Sequence, residues 1–545
     1  MDVQWFEWGD DAFQKAKSED KLVLLDISAV WCHWCHRMDA DTYADPKVAA
    51  LLNEKFVPIR VDTDKRPDVN ARYNLGGWPT TALLTPDGNL ITGATYVPPA
   101  QMIQLLEQAQ KLYREDRETL EKNALKAAEP RFEEGKPGTH IVEAYRTWLE
   151  ELYDTQNGGF GLNAKFPQTN LYGLLFALAE EGKGWRDRMV LTLQRMAGGG
   201  MFDRIGGGFF RYATQREWTA PHYEKLLEDN SRLVSILLRA YVNLGDKLFL
   251  SAAEQTARYM LKTLYDDKEH YFYGSQDADE EYYKLNADER AKRKAPNVDK
   301  TLYTDWNCWA VCALLDASVA LKEDAYRTSA LQTLRTVLEK CFDGERVYHF
   351  WPRTSAPATL ADATALANAL LKAYQCTLEK DYLVSALNVA DAMVADFGSL
   401  GAFYDVASTD GHGLMAAKHK DADDNGFAAT VLLKLFAITG EEKYRILAEN
   451  ALNELAGLVE KRSVFAPQYV EAIMYKERGF VEVSLTGDPE KLGPFIRNVL
   501  SRLSERIVIK HAEGAKAEAT VCVRETCRGP YDSPDKLFAA LETTG

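Results

Sequence analysis

The chain has 545 residues, more than one hydrophobic core usually organises, so its length predicts two or three domains. Its 65 basic and 81 acidic residues give a formal charge of −16, which argues against nucleic acids and membranes as partners, because both attract basic surfaces. The first residues lack a signal-peptide pattern and no apolar run approaches the ~20 residues of a membrane helix, so we expect a cytoplasmic protein.

The first 112 residues predict an α/β domain with a mixed sheet, because short apolar runs alternate with amphipathic stretches. Turn residues separate these runs, as in the Pro-Asp-Gly-Asn sequence at 86–89 before the last strand. The predicted strands are Leu22–Ser28, Phe56–Asp62, 80–85 and 90–95, and the predicted helices are Asp10–Ser18, 36–53 and 99–113.

Residues 113–138 are highly charged and end in Gly-Lys-Pro-Gly, which predicts a helical linker. From 139 to 474, alanine and leucine recur at helical spacing, and short glycine-rich or aromatic segments separate pairs of helices. About six such pairs favour an all-α (α/α)6 toroid over an open solenoid. Residues 475–545 return to alternating strands and helices, so a multidomain chain with a small C-terminal α/β appendage is expected.

Residues 31–36, Trp-Cys-His-Trp-Cys-His, follow a buried strand and carry the most specific chemical signal in the chain. At a helix N-terminus, backbone N–H groups and the helix dipole would stabilise the thiolate of Cys32, while Cys35 lies one turn further on and could close a disulfide. An imidazolium at His33 would lower the pKa of Cys32 further. Four cysteine and histidine ligands on one short turn cannot face one tetrahedral ion, so no metal is predicted, and no cofactor.

Six further cysteines are expected to be chemically quiet. Cys308, Cys312, Cys341 and Cys376 fall in helical patterns and are predicted to be small core residues. Cys522 and Cys527 could form a disulfide, but the expected cytoplasmic setting favours their reduced form.

The surroundings of the cysteine pair resemble thioredoxin. Asp26 lies six residues before Cys32 on the preceding strand, and Pro79 opens a later strand. The resemblance implies that Cys32 is the attacking thiolate and Cys35 the resolving thiol. It also implies that Asp26 is a buried proton acceptor and that Pro79 is cis, beside the segment that pairs with a substrate chain. A thioredoxin fold that is purely structural remains the alternative.

Longer motifs extend the resemblance over most of the chain. They resemble the thioredoxin-domain family of the spermatogenesis-associated type, which implies a thioredoxin fold joined to an (α/α)6 barrel of the six-hairpin glycosidase type. The family often lacks a carboxylate at the position of Asp26, so its presence here favours active redox chemistry. The motifs lie at 31–38, 61–69, 76–79, 84–88, 164–167, 201–212, 221–230 and 276–279.

The helical part predicts a sugar-like ligand. Its loops are rich in aromatic, acidic and amide side chains, and such side chains stack on pyranose rings and bond their hydroxyl groups. Hydrolysis of a glycoside needs two carboxylates, and epimerisation needs an acid/base pair, for which His222 and His412 are candidates. Many of these acids would equally serve as helix N-caps. The predicted ligand-binding residues are Asp203, Arg211, Trp218, His222, Glu224, Asp277, Asp279, Asn307 and Asp424.

Three hypotheses follow. The first is a thiol–disulfide oxidoreductase module that acts on protein thiols or disulfides, fused to a barrel that processes or binds carbohydrate. The second places a sugar hydrolase or epimerase in the barrel, with a structural thioredoxin fold. The third is a non-enzymatic, redox-linked scaffold. The catalytic residues of the first hypothesis are Cys32, Cys35, Asp26, His33 and Pro79.

Overall fold

A computed structural model describes residues 2–128, 135–354, 356–462 and 464–543. The N-terminal domain is built on a mixed four-stranded sheet in the order β2-β1-β3-β4, in which β1 and β2 are parallel and the other pairs are antiparallel. The strands are β1 (Leu22–Ser28), β2 (Phe56–Asp62), β3 (Thr80–Leu84) and β4 (Leu90–Ala94), so the predicted mixed sheet is confirmed.

Helices cover both faces of this sheet. The helix predicted over 36–53, with an interruption expected at Pro46, is broken there into two helices, because Asp45 caps the second one and Pro46 starts it. A π-helical turn, Asp39–Tyr43, lies between them. The helices are α1 (Asp10–Ser18), α2 (His33–Met38), α3 (Pro46–Lys55), α4 (Pro67–Tyr73), α5 (Pro99–Glu115) and α6 (Arg117–Asn123).

The division into residues 1–112, 113–138, 139–474 and 475–545 remains our proposal for the domain organisation. Two observations bear on its boundaries. Leu120, in the predicted linker, packs with the core on one face of the N-terminal sheet. Phe480, just inside the proposed appendage, packs with the core of the helical part. Part of the predicted linker, residues 129–134, lies outside the described residues.

The helical part forms a toroid of alternating outer and inner helices. In the described residues, the inner ring consists of six helices. From the second to the sixth, successive helices contact each other, the sixth contacts the first, and the 3-10 turn that leads into the first contacts the second. The outer helices are α7 (Thr139–Leu152), α9 (Lys183–Gly198), α11 (Lys247–Tyr259), α15 (Asp324–Cys341), α17 (Lys380–Phe397) and α19 (Glu442–Arg462). The inner helices are α8 (Tyr172–Glu181), α10 (Leu227–Leu244), α14 (Thr304–Ala320), α16 (Leu360–Thr377), α18 (Ala422–Thr439) and α20 (Pro467–Arg478).

The loops of the toroid hold short elements. Two short helices, α12 (Glu280–Tyr283) and α13 (Ala287–Arg290), lie in the long connection between α11 and α14. Two 3-10 turns are Thr169–Leu171 and Gly413–Ala416, and a π-helical turn, Met260–Leu264, follows α11. Two-residue strands are Tyr212–Ala213, Pro221–His222, Lys225–Leu226, Tyr265–Asp266, Tyr271–Phe272, Ser275–Gln276, Val298–Asp299, Leu302–Tyr303 and Phe350–Trp351.

Asn307 belongs to a repeated structural contact, and its role as a ligand-binding residue stays a prediction. Its buried amide accepts a hydrogen bond from the backbone N–H of Phe272 at 2.7 Å and donates to the carbonyls of Phe272 and Tyr303. Equivalent asparagines on α10 and α18 hold other aromatic segments in the same way. These pairs are Asn230 with Phe209 and Asn425 with Phe403. The recurrent glycine/aromatic segments are therefore held to the inner helices by asparagine.

The C-terminal appendage repeats the strand order of the first sheet. Its order is β6-β5-β7-β8, again with one parallel pair, β5–β6, and two antiparallel pairs. Helices α21 (Pro489–Leu500) and α22 (Pro534–Glu542) cover it. The strands are β5 (Val481–Thr486), β6 (Ile507–Ala512), β7 (Glu518–Val523) and β8 (Thr526–Tyr531).

The expectation that Cys522 and Cys527 are reduced is wrong, because the structure joins them in a disulfide. They are directly paired across the β7–β8 hairpin, with Cα atoms 4.0 Å apart, which is close enough for the bond. The expectation rested on a reducing cytoplasmic setting, whereas the register of the hairpin places the two residues opposite each other. By contrast, burial raises the pKa of the helical thiols, such as Cys308 and Cys312, as expected for core residues.

The barrel completes the core of the N-terminal domain. The 3-10 turn Gly413–Ala416 supplies Leu414 and Met415 to the apolar cluster that contains Trp8 and Tyr73. The Tyr73 hydroxyl accepts a hydrogen bond from the Leu414 N–H at 2.7 Å and donates to a carbonyl of its own domain. The two parts therefore meet over a packed, hydrogen-bonded seam.

The search for membrane spans covered the described residues. Among them, no helix combines the length and the apolar composition needed to cross a bilayer.

Candidate functional site

The cysteine pair lies between β1 and α2. Cys32 is the N-cap of α2, and its sulfur accepts a hydrogen bond from the backbone N–H of Cys35 at 3.2 Å. The two cysteines form a disulfide in this structure, and both are buried. After reduction, the same N–H group would stabilise a thiolate on Cys32.

Two tryptophans flank the disulfide. The Trp78–Pro79 peptide bond is cis, as the thioredoxin resemblance implies. Trp31, next to Cys32, donates its indole N–H to Asp64 at 2.6 Å, and its ring meets that of Trp78 edge-to-face at 5.9 Å. The Arg211 guanidinium of the barrel lies 4.3 Å from the Trp31 ring centre and 4.7 Å from that of Trp78. This cation–π contact ties the barrel to the aromatic wall of the dithiol.

Asp26 is buried on β1, but it is not a free carboxylate. Arg60, its partner on β2, donates to it at 2.8 Å, and the Tyr43 hydroxyl donates to it at 3.1 Å. Burial raises the pKa of Asp26 to about 6, and the nearby Arg60 charge limits the rise. The predicted burial is therefore confirmed, whereas the role of Asp26 as proton acceptor stays a prediction. No local pattern in the sequence points to Arg60 as its partner.

Several predicted barrel residues lie beside α2. Leu226 packs against Cys32 and Cys35, and two residues earlier the carboxylate of Glu224 lies 3.7 Å from the imidazole of His222. Asp277 faces His36 of α2 across the seam at 3.8 Å. The pKa of Asp277 is raised by burial and by Glu224, and His36 partly offsets this.

His33, the first residue of α2, is half-buried. Its ring meets that of Trp34 edge-to-face at 5.9 Å. The proposed effect of His33 on the Cys32 thiolate stays a prediction.

Asp203 is engaged in buried ion pairs, and its role as a ligand-binding residue stays a prediction. Its carboxylate accepts from Lys225 at 2.7 Å and from Arg290 at 2.8 and 2.9 Å. Burial opposes ionisation, but the two cations outweigh it and lower the pKa of Asp203. Removing one member of such a set would leave an unpaired buried charge, which identifies it as a structural element.

Two further predicted ligand-binding residues also make structural contacts, and their ligand-binding role stays a prediction. Trp218 is 1% exposed and donates its indole N–H to the Asn157 carbonyl at 2.9 Å. Asp279 caps α12 by accepting from the Tyr282 N–H at 2.8 Å. The N-cap interpretation of such acids was the correct one here.

The proposed histidine pair does not form. His222 stacks on Tyr212 with ring centres 4.4 Å apart, near Glu224. His412 instead stacks on Phe13 of the N-terminal domain at 4.2 Å and bonds Asp10 at 2.8 Å. The two histidines therefore serve different contacts.

A cavity of about 560 Å³ lies between the two domains, at the N-terminal ends of the inner helices. Arg211 and Asp424 line it, as predicted for ligand-binding residues, although their role stays a prediction. A second cavity of about 380 Å³ shares Arg211, Asp424 and Glu228 with the first and extends toward Asn170. Side chains that the sequence did not single out as ligand-binding are Asp64, Trp78, Glu228, Asp305 and His349.

Position along the chain could have revealed some of these residues. Glu228 and the Asp305–Trp306 pair lie at the starts of the inner helices α10 and α14. The inner helices of a toroid all begin at the same end, so residues at their starts lie near one another. His349 follows a short loop and Asp64 comes from the other domain, so no local pattern predicts that they meet.

Burial raises the pKa values of three cavity acids. Burial raises the pKa of Asp305 to about 8, and the neighbouring Asp362 charge adds to this. Burial also raises the pKa values of Asp64 and Asp424 well above the usual range, with contributions from the nearby Asp62 and Asp421. A protonated carboxyl group both donates and accepts hydrogen bonds, so this wall suits hydroxyl groups.

Asp305, His349 and Asp362 lie close enough together for a metal site, with candidate ligand atoms within 4.8 Å of one another. However, His349 bonds both Asp362 oxygens through Nδ1 at 2.9 Å, and it donates through Nε2 to the Asp64 carbonyl at 2.7 Å. Burial lowers the pKa of His349, but Asp362 outweighs this and raises it to about 10. Both ring nitrogens carry protons, so the imidazole has no lone pair for a metal.

Comparisons with known proteins agree with this architecture. Residues 1–130 match the Thioredox_DsbH family, described as "Protein of unknown function, DUF255". Spermatogenesis-associated protein 20 of Mus musculus is 33% identical over 307 residues, 51% of this chain and 39% of that protein. Thioredoxin-1 of Drosophila melanogaster is 30% identical over 77 residues, 14% of this chain and 69% of that protein.

The barrel is similar in fold to a sugar epimerase. The cellobiose 2-epimerase from Spirochaeta thermophila aligns with a TM-score of 0.50 at 14% identity, covering 61% of this chain and 94% of that one. This chain covers about two fifths (39%) of the length of the mouse spermatogenesis-associated protein 20. The chain therefore carries a domain of the thioredoxin family followed by an (α/α)6 barrel, and over about half of its length it is similar to spermatogenesis-associated protein 20.

Proposed function

We propose that Cys32 and Cys35 catalyse thiol–disulfide exchange at the mouth of the barrel. The observation that carries this proposal is the position of the pair, at the start of α2 and beside the cis Trp78–Pro79 bond. The Cys35 N–H aimed at the Cys32 sulfur supports a thiolate at that position. The proposal concerns the chemistry of the cysteine pair. The electrons that reduce the pair come from a partner thiol.

In the reducing direction, the Cys32 thiolate attacks a substrate disulfide and one substrate thiolate leaves. Cys35 then loses its proton and attacks the Cys32 sulfur, which releases the second substrate thiolate. One disulfide is reduced to two thiols while the cysteine pair is oxidised, so atoms and electrons balance. His33, at the start of α2, is proposed to favour the thiolate form of Cys32.

The test is equilibration of the full chain in glutathione buffers, followed by thiol trapping. A cycling pair should give a midpoint between about −270 and −120 mV, the range of thioredoxin-like proteins. Cys32→Ser and Cys35→Ser should each abolish the transition, whereas Cys376→Ser, a helical thiol whose pKa burial raises, should leave it unchanged. A pair that stays oxidised in every buffer would make the thioredoxin fold structural here and refute the proposal.

A second candidate function is carbohydrate binding by the barrel. The cavity at the inner-helix ends supports it, because it combines the Trp306 ring with the carboxyl groups of Asp305 and Asp424. Neutral sugars should bind by calorimetry, and Trp306→Ala should weaken binding at least tenfold. Hydrolysis or epimerisation of the bound sugar would extend this function to catalysis, and a panel of disaccharides with product analysis tests it.

The scaffold hypothesis makes a separate prediction. If the pair holds partner proteins without turnover, a Cys35→Ser variant should accumulate mixed disulfides with them through Cys32. A variant that traps no protein in this assay counts against a scaffold role.

A further inference from the structure

The barrel covers the face of the dithiol that a substrate protein would use. Cys32 is 4% exposed, and Leu226 of the barrel packs against both cysteines. Arg211 lies over Trp31 and Trp78, the two aromatic residues beside Cys32 and Pro79. A folded protein could reach the sulfur only if the two domains separated, whereas their seam is packed and hydrogen-bonded.

A small molecule has a shorter route. Trp31, Trp78 and Leu226 belong both to the cluster around the disulfide and to the lining of the interdomain cavity. These shared side chains place the cavity next to the cluster that contains Cys32. At about 560 Å³, the cavity has the size of sites that take small organic ligands. Rotation of the Leu226 side chain would connect the cavity with the disulfide.

The cavity walls indicate the chemistry of the ligand. Acidic side chains outnumber cationic ones in its lining, and two of the cations are paired, His349 with Asp362 and Lys420 with Glu454. Arg211 lies over the Trp31 and Trp78 rings. The excess of acids disfavours an anionic ligand. Burial raises the pKa values of Asp64, Asp305 and Asp424 near the Trp306 ring, and a carboxyl group that keeps its proton suits an uncharged body rich in hydroxyl groups.

We propose that the substrate of Cys32 and Cys35 is a small, uncharged disulfide whose body carries several hydroxyl groups, bound in the interdomain cavity. This inference rests on the proposed thiol–disulfide exchange and names its substrate class. The hydroxylated body lies against Trp306 and Asp424, and the sulfur atoms reach Cys32 past Leu226. One disulfide bond of the substrate breaks, two free thiols leave, and the cysteine pair becomes a disulfide.

The test compares three disulfides with the reduced full chain. They are the symmetrical disulfide of 1-thioglucose, the anionic 3,3′-dithiodipropionate, and insulin as a protein disulfide. Oxidation of the cysteine pair is followed by thiol trapping, and each rate is divided by the rate of the same disulfide with dithiothreitol. We expect the normalised rate with thioglucose disulfide to exceed each of the other two at least tenfold.

Variants locate the site. Leu226→Ala should raise the rate with thioglucose disulfide several-fold, because it shortens a side chain shared by the cavity lining and the cysteine cluster, and Trp306→Ala should lower it. Leu400→Ala, at a fully exposed position, is the matched control and should change neither rate. The comparison of the three disulfides in the unaltered chain stands even if a variant fails to fold.

Each outcome is decisive. A normalised rate with insulin that equals or exceeds the thioglucose rate would overturn the inference in favour of a protein substrate. Equal rates for the neutral and anionic small disulfides would refute the hydroxylated substrate class. If no disulfide oxidises the pair and it also fails to cycle in glutathione buffers, the proposed exchange itself is wrong.

Discussion

The buried His349 imidazolium should stabilise the seam between the two domains, and it can be removed by a single substitution. It joins Asp362 of the barrel to the backbone carbonyl of Asp64 in the N-terminal domain, at 2.9 and 2.7 Å. His349→Gln removes the charge but keeps a side chain of similar size. The Asp362 carboxylate would then be buried with only neutral partners, such as the hydroxyl and N–H of Thr359.

The pKa of His349 sets the magnitude of this effect. Its rise from 6.5 to about 10 corresponds to about 5 kcal/mol, at about 1.36 kcal/mol per pKa unit. Because the folded-state pKa is raised, this contribution is fully present below pH 6.5 and is lost as the pH rises through 10. The variant should therefore be less stable than the wild type at pH 7, by up to about 5 kcal/mol, and nearly equal to it at pH 11.

Urea denaturation followed by tryptophan fluorescence measures this difference at both values of pH. The matched control is His419→Gln, since His419 lines the same cavity but burial lowers its pKa, so it carries no such charge at pH 7. The control should show no loss that disappears at alkaline pH. An equal loss for His349→Gln at pH 7 and pH 11, or no loss at all, would mean that the imidazole is neutral and the reasoning is wrong.

Three further predictions concern stability. Burial raises the pKa of Asp26 from 3.8 to about 6, so ionisation of Asp26 destabilises the folded state as the pH rises through 6. In urea titrations, the free energy of unfolding of Asp26→Asn should therefore rise relative to wild type by about 3 kcal/mol between pH 4 and pH 7. A difference between the two proteins that does not depend on pH would contradict this. Asn307→Ala should lower stability by about 3 kcal/mol, because it leaves three buried backbone groups unpaired; an unchanged thermal midpoint would count against the repeated asparagine contact. Replacing Cys522 and Cys527 by serine should destabilise the appendage by about 2 kcal/mol, as measured by hydrogen exchange of its strands, since it opens a short loop.

The sequence predicted the elements better than their contacts. Strands Leu22–Ser28 and Phe56–Asp62 have the predicted bounds, because their apolar runs are flanked by turns and helices. The toroid followed from helical periodicity and the number of hairpins. Strand Thr526–Tyr531 was missed because its residues are largely exposed and mostly polar, so it carries no burial pattern.

The candidate site was predicted where local motifs define it. The cysteine pair and the cis Pro79 follow from spacing and resemblance, whereas the partners of Asp26 and Asp203 depend on tertiary contacts. Asp203 and Asp424 look alike in sequence, since both are acids in loops near an inner helix. One is neutralised by two buried cations and the other lines a cavity, a difference that long-range packing alone decides.

The turn at Gly413–Ala416 carries a consequence for how this architecture is inherited. Because Leu414 and Met415 complete a core that otherwise belongs to the first 112 residues, the segment that looks like an independent thioredoxin lacks part of its own interior. Cutting the gene between the two regions would expose Trp8 and Tyr73 to water. Recombination that exchanges one of the two regions without the other would therefore be selected against. The thioredoxin-like domain and its barrel should be inherited together.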